Sequence, residues 1–213
     1  MPLVIKSTKT RRSLILDLEG GSIFEFPLTV TRLRSFYEGD EIDLAELESL
    51  KSKALEIQAD DLLARKIGLK PRTLGESRKI LKEYGYSEEV TVRIVERFVE
   101  RRILDDYRLG SDLVKSILKE RPAGRMYLLS ALLRRMISRE MAEEILEEIM
   151  SDVDETEMAI RLLKKRWSSL KTFDLETARH KGYNHLARRS LSYEASKAAF
   201  ERLAAEEPNF HSG

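Results

Sequence analysis

Tyr86-Ser87-Glu88-Glu89-Val90, Ile137-Ser138-Arg139-Glu140-Met141 and Leu191-Ser192-Tyr193-Glu194-Ala195 share one pattern: an apolar residue, Ser, any residue, Glu, an apolar residue. Their serines stand 51 and then 54 positions apart. Each Ser can cap the free N–H groups that open a helix, and the Glu in the first turn meets the positive end of its dipole. The agreement reaches outward. Leu81, Leu132 and Leu186 lie six residues before the serines. Val95, Leu146 and Phe200 lie eight after them, and Phe98, Ile149 and Leu203 eleven after. Those offsets put the apolar side chains on one stripe of the capped helix. Each copy is therefore a helix, a tight turn and a second helix that starts at the Ser.

A third helix precedes each pair, over 43–67, 105–120 and 156–170. Gly68 is expected to stop the first of these, with Pro71 just beyond, and Pro122-Ala123-Gly124 breaks the chain after the second. The body reads as three tandem three-helix repeats, each too small to bury its core alone, so neighbours should stack into an elongated, curved array. The period is far from the ~34 and ~33 residues of TPR and ankyrin units; HEAT repeats come closer and remain a structural alternative.

The first 40 residues follow another rule. Leu14, Leu16 and Leu18 alternate along one strand, Gly20-Gly21 turns the chain, and Phe24 and Phe26 resume the alternation. A strand near Leu3–Lys6 should make this a hairpin or a three-stranded element, docked on the helices because a two-stranded ribbon is marginal alone. One short helix is expected over 28–37. The expected divisions are a β element at 1–42, repeats at 43–101, 102–151 and 152–207, and a tail at 208–213.

The composition excludes several classes of function. The 213 residues contain no Cys, which rules out disulfides, thiolate metal sites and cysteine nucleophiles. No apolar run approaches the ~18 residues of a membrane span, and the N-terminus lacks the apolar stretch of a signal peptide, so an intracellular, soluble protein is expected. Hydrophobic residues make up 42% and charged residues 35%, enough for a sizeable core under a charged helical surface. Net charge is only +1, yet it is unevenly placed. Residues 140–157 carry acids and no Lys or Arg, whereas 161–189 are mostly basic. Such a dipolar surface can steer a partner.

In combination, four further stretches resemble the RecX family. They are Lys82-Glu83-Tyr84-Gly85-Tyr86, then Arg102-Ile103-Leu104-Asp105-Asp106, and the basic turns Arg134-Arg135-Met136-Ile137 and Ala187-Arg188-Arg189-Ser190-Leu191. The likeness covers about residues 54 to 206. The pattern departs at Met136 and Ser190, where family members often carry Gly, and at Leu109-Gly110-Ser111. The resemblance implies a cytoplasmic, monomeric, non-enzymatic regulator without a cofactor. It would bind the RecA filament in its groove and restrain strand exchange, ATP turnover and stimulated repressor cleavage. That places it in recombinational DNA repair and the SOS response, with single- or double-stranded DNA as a further partner. Direct DNA binding without RecA, or a HEAT-like scaffold for another partner, are the alternatives.

Catalytic chemistry has little support. Asp105 and Asp106 are neighbours pointing about 100° apart on a helix, so capping explains them better than a shared ion. His180 and His185 are five apart rather than the four of a helical ligand pair, and His211 sits near the C-terminus. Gly20-Gly21 lacks the Lys-Ser/Thr of a phosphate loop, and no Gly-x-Ser-x-Gly occurs. The candidate binding residues are the basic ones. Arg134 with Arg135, and Arg188 with Arg189, occupy equivalent turns of repeats two and three; Arg125, Lys164, Lys165, Arg166 and Lys181 extend the surface. They suit acidic patches on a filament or DNA phosphates, against a plain alternative of solvated helix charge. Trp167, Tyr183, Tyr193 and Tyr127 could stack on bases, but helical spacing among leucines favours the core.

Overall fold

A computed structural model describes residues 1–206. His211 and the expected tail lie outside the described residues. Three strands come first, β1 (Val4–Lys9), β2 (Ser13–Leu18) and β3 (Ile23–Pro27), in one antiparallel sheet of order β1-β2-β3. Ten α-helices follow among the described residues: α1 (Leu44–Leu69), α2 (Leu74–Glu83), α3 (Glu88–Glu100), α4 (Asp106–Glu120), α5 (Arg125–Arg134), α6 (Arg139–Met150), α7 (Glu155–Lys164), α8 (Trp167–Leu170), α9 (Leu175–Ala187) and α10 (Tyr193–Glu206). By contacts the chain divides into two compact units, Met1–Arg72 with Glu76–Leu104, and Thr73–Gly75 with the residues from Asp105 onward.

In the first unit, Leu14, Leu16 and Leu18 turn one face of β2 inward, beside Val4 and Phe26. Ile42, Leu47 and Ala54 complete that core from the chain entering α1 and from α1 itself. The helix expected over 28–37 is shorter, a 3-10 turn at Leu28–Arg32. Beyond it the chain drops Phe36 into the core, 5.8 Å from the Phe26 ring, which a continued helix would not allow. Helix α1 also runs past Gly68, to Leu69. The stop is set by Pro71, whose ring forces the preceding Lys70 into an extended backbone (φ −161°, ψ 132°). Arg93 and Arg97 of α3 reach the α1 carboxylates, with Arg97 3.1 Å from Glu56 and 3.2 Å from Asp60.

The three serines begin equivalent helices. Ser87, Ser138 and Ser192 accept hydrogen bonds from the backbone N–H groups of Val90, Met141 and Ala195 at 3.3, 3.3 and 3.2 Å. The turn before each is also the same. The N–H of Tyr86, Ile137 and Leu191 donates to the carbonyl of Leu81, Leu132 and Leu186, at 3.2, 3.3 and 3.4 Å. One residue earlier, Gly85, Met136 and Ser190 take positive φ of 84°, 58° and 55°. This is the Schellman ending, in which a left-handed residue lets the last carbonyls of a helix find donors. The departures from Gly at Met136 and Ser190 therefore keep the backbone and accept its strain. The leucines at the head of each turn are fully buried, each contributing roughly 1.5–3 kcal/mol over an exposed side chain. The third apolar offset is less uniform, since Ile149 is only half-buried where Phe98 and Leu203 are sealed.

In the second unit, Val114, Leu128, Leu132, Ile137, Ile145 and Leu146 form the core of α4, α5 and α6. Gly110 of α4 leaves room for the Ile145 side chain there: a Cβ would lie 2.6 Å from Ile145 Cδ1. Met158, Leu163, Trp167, Leu186, Phe200 and Leu203 form the core of the last repeat. The helix expected over 156–170 is broken into α7 and α8. Lys164, Lys165 and Arg166 come in succession at the break, where cations favour the negative end of a helix, and Arg166 leaves helical geometry (φ −120°, ψ 0°).

Two glycines, Gly75 in the first turn of α2 and Gly124 just ahead of α5, lie against the left-handed turns. A Cβ on Gly75 would lie 2.5 Å from Met136 Cβ, and one on Gly124 would lie 1.9 Å from the Ser190 carbonyl oxygen. Beside the first, Thr73 Oγ1 donates to the Arg135 carbonyl at 2.6 Å; at the second, Gly124 N–H donates to the Arg189 carbonyl at 2.7 Å. Asp105 caps α4 through the Arg108 N–H at 2.9 Å, and the buried Asp106 accepts from the Leu74 N–H at 2.8 Å.

Candidate functional site

The break between α7 and α8 has no counterpart in α1 or α4, each an uninterrupted helix. It opens a cleft of about 820 Å³ between α8 and α9. Thr177, His180, Lys181, Asn184, His185 and the C-cap Arg188 line it from one face of α9. Their spacing explains this, because Lys181, His185 and Arg188 are four and then three apart, one row of a helix. Arg166, Ser169, Leu170 and Phe173 line the opposite wall, and Leu163 the remaining apolar surface. Arg166 and His185 also line a smaller cavity of about 260 Å³, with Arg121, Lys165 and Arg189 beside them and Glu120 as its carboxylate.

Arg166 Nη1 lies 3.1 Å from His185 Nδ1. A guanidinium can only donate, so Nδ1 accepts and the neutral ring carries its proton on Nε2. Partial burial, then the charges of Arg166, Arg189 and Arg188, hold His185 below the ordinary histidine value. Lys181 Nζ sits 4.5 Å from the centre of the Phe173 ring, and the Arg189 guanidinium lies 5.7 Å from that of Tyr127. Among the described residues, none of Arg166, Lys181, Arg188 and Arg189 pairs with a carboxylate, and Glu176 is the one acid on the larger cleft. The contrast is with Arg93 and Arg97, whose charges α1 neutralises.

The basic residues expected from the sequence thus separate into groups. Arg166, Lys181 and Arg188 converge on the larger cleft; Lys165 and Arg189 belong to the smaller one. Arg134 is elsewhere, on a shallow groove beside Met126, Leu129 and Leu133, and donates to Ser130 Oγ at 3.3 Å. Arg125 lies 3.3 Å from Glu147, and Lys164 is exposed without lining any of these surfaces. Arg135 is half-buried at the end of α5, its carbonyl holding Thr73. Trp167 is core, 5.2 Å from the Phe200 ring in an edge contact, while Tyr193 is exposed and meets Tyr183 edge-on at 5.6 Å. Arg121 and His185 also line these cavities and lie outside the residues expected from the sequence. The Lys181, His185, Arg188 row was the signal that could have found the histidine.

Among the described residues no group of three or more His, Asp or Glu could hold a metal ion, and no helix is long and apolar enough to cross a membrane.

Fold and site define a mainly helical protein with a small antiparallel sheet near its N-terminus and a basic cleft between α8 and α9. No family model matches the chain. The chain is 23% identical over 137 residues to regulatory protein RecX of Pelodictyon phaeoclathratiforme, a match covering 64% of this chain and 83% of that protein. Its fold matches a crystal structure of regulatory protein RecX with TM-score 0.68 and 17% identity, over 94% of this chain and all of the other. A crystal structure of RecX from Lactobacillus salivarius matches with TM-score 0.64 and 14% identity, over 70% of this chain and 97% of that one. The sequence likeness to a regulatory protein RecX is thus of low identity, and the two crystal structures show that the fold is shared.

Proposed function

We propose that this protein is a non-enzymatic regulator of RecA that seats in the groove of the nucleoprotein filament. There it restrains strand exchange, ATP turnover and stimulated repressor cleavage, as a cytoplasmic monomer in recombinational repair and the SOS response. The observation that carries the reading is the match to a regulatory protein RecX along most of that protein's length. The unpaired cations of the last repeat give the reading a means of contact, because a filament offers carboxylates and DNA phosphates. In the same reading the working parts are the β element at 1–42 and repeats at 43–101, 102–151 and 152–207.

A second reading, direct DNA binding without a filament, draws on the same cations. It is disfavoured as a helix-turn-helix, because α6, the second helix of its pair, exposes Glu140, Glu143, Glu144 and Glu147 where a recognition helix needs positive charge. The test is single-stranded-DNA-dependent ATP hydrolysis by RecA with increasing amounts of the protein. Turnover should fall at or below one regulator per recombinase; unchanged turnover and filament length at excess protein would overturn the proposal. A shift of bare DNA that weakens steeply with salt, with no effect on RecA, would favour the second reading.

A further inference from the structure

We propose that the cleft between α8 and α9 is a binding site for a small polyvalent phosphate, of the class of pyrophosphate and nucleoside di- and triphosphates. The cleft exists because the first helix of this repeat is interrupted where those of the other two are continuous. The interruption turns Arg166 toward α9 and exposes the row of Lys181, His185 and Arg188 opposite it.

Its charge is unbalanced in one direction. Arg166, Lys181 and Arg188 face one carboxylate, Glu176, and none of the three has an ion-pair partner among the described residues. Unpaired cations on a surface are ordinary when each stands in open water. Here they converge on one half-open cleft, where their mutual repulsion is relieved by an anion of more than one charge. Two guanidiniums and an ammonium suit phosphoryl oxygens: arginine presents parallel N–H donors to two oxygens, and lysine acts as a point charge. Thr177, Asn184 and Ser169 add neutral donors on both walls.

The size favours a small ligand. A volume of about 820 Å³ falls within the ~300–1,000 Å³ of small-molecule sites. A nucleic-acid strand would want an open track instead. Arg166 and His185 do lead into the smaller cavity with Arg121, Lys165 and Arg189, but Glu120 stands in it.

The test uses the full-length protein alone, without RecA, DNA or added divalent metal, in calorimetric titrations with pyrophosphate, ATP and a short single-stranded oligothymidylate. Failure of the filament reading therefore cannot masquerade as failure here, nor the reverse. Saturable binding of pyrophosphate or ATP is expected. Arg166→Gln and Lys181→Gln should each weaken it about tenfold or more, while Arg134→Gln, outside the cleft, leaves it unchanged. Arg166, Lys181 and Arg134 are solvent-exposed, so the variants should keep their helical circular dichroism, and a parent-like thermal transition qualifies each for comparison. Should a cleft variant misfold, competition by orthophosphate and a shift of the His185 ring resonances on adding pyrophosphate provide the readout. ATP binding without pyrophosphate binding would assign the site to nucleotides; pyrophosphate and ATP binding alike would assign it to the polyphosphate group. No binding of either, binding of the oligonucleotide alone, or equal loss in Arg134→Gln would overturn the proposal.

Discussion

Replacing Gly124 by Ala should unfold the contact between the connector ahead of α5 and the turn ahead of α10. The new Cβ would stand 1.9 Å from the Ser190 carbonyl oxygen and 2.6 Å from its carbon, against the 3.0 Å below which real Cβ atoms are essentially never found. Both neighbours are backbone, so no flexible side chain can swing away. The turn must retreat by more than an ångström, and the Gly124 N–H to Arg189 carbonyl bond, 2.7 Å long, stretches out of range. Loss of that bond costs about 0.5–1.5 kcal/mol, and forcing extra volume into a packed contact costs about 1–3 kcal/mol. Together these give roughly 2–4 kcal/mol, which for a chain of this size lowers Tm by roughly 4–16 °C. Thermal melts should show this drop. Amide exchange should locate the loosening at residues 188–192. A variant melting within ~2 °C of the parent, the shift of a single kcal/mol or less, would refute the packing argument. Gly75→Ala provides the parallel experiment at Met136.

The left-handed turns give the opposite sign. Ser190→Gly removes the strain of a side chain at φ 55° and should raise stability by about 0.5–1 kcal/mol, net of the freedom gained when unfolded; a lower urea midpoint would count against it. Ser192 is tied more strongly than the other caps, because Glu155 accepts from both its N–H (3.0 Å) and its hydroxyl (2.6 Å). Ser192→Ala should therefore cost more than the ~1 kcal/mol of an ordinary cap loss at Ser87 or Ser138, and a double-mutant cycle with Glu155→Gln should reveal coupling; additive effects would argue that the two side chains act independently. His185, held below its ordinary value of 6.5 by burial and three arginines, binds fewer protons folded than unfolded. Its contribution to stability is full above pH 6.5 and declines as pH falls below it. A ring titration by NMR should fall below 6.5, and one above it would contradict the Arg166 contact.

The recurrence of Ser87, Ser138 and Ser192 was enough to read the helical body, because an N-cap and its buried stripe are local in sequence and leave a periodic mark. The alternation of Leu14, Leu16 and Leu18 gave the sheet for the same reason. What escaped was decided by tertiary contacts. The chain leaves its short helix after Arg32 because Phe36 finds Phe26 across the core. Gly68 looked like a stop, but Pro71 acts three residues later through the backbone of Lys70. At the site, the basic residues could be named but not grouped. Arg125 meets Glu147 across two helices, a pairing no local spacing encodes, whereas the cations of the cleft meet nothing acidic. The interruption after Lys164 was hidden because Leu163, Trp167 and Leu170 keep helical spacing through it.

The three residues Thr73–Gly75 have a practical implication for anyone cutting this protein into pieces. They belong with the residues from Asp105 onward, although almost thirty residues of the other unit separate them along the chain. A fragment starting at Asp105 would leave the Asp106 carboxylate without the Leu74 amide and the Arg135 carbonyl without the Thr73 hydroxyl. Supplying the missing stretch as a synthetic peptide spanning Pro71–Glu76 should then restore order to such a fragment, a complementation that a simple end-to-end boundary at residue 104 would never require.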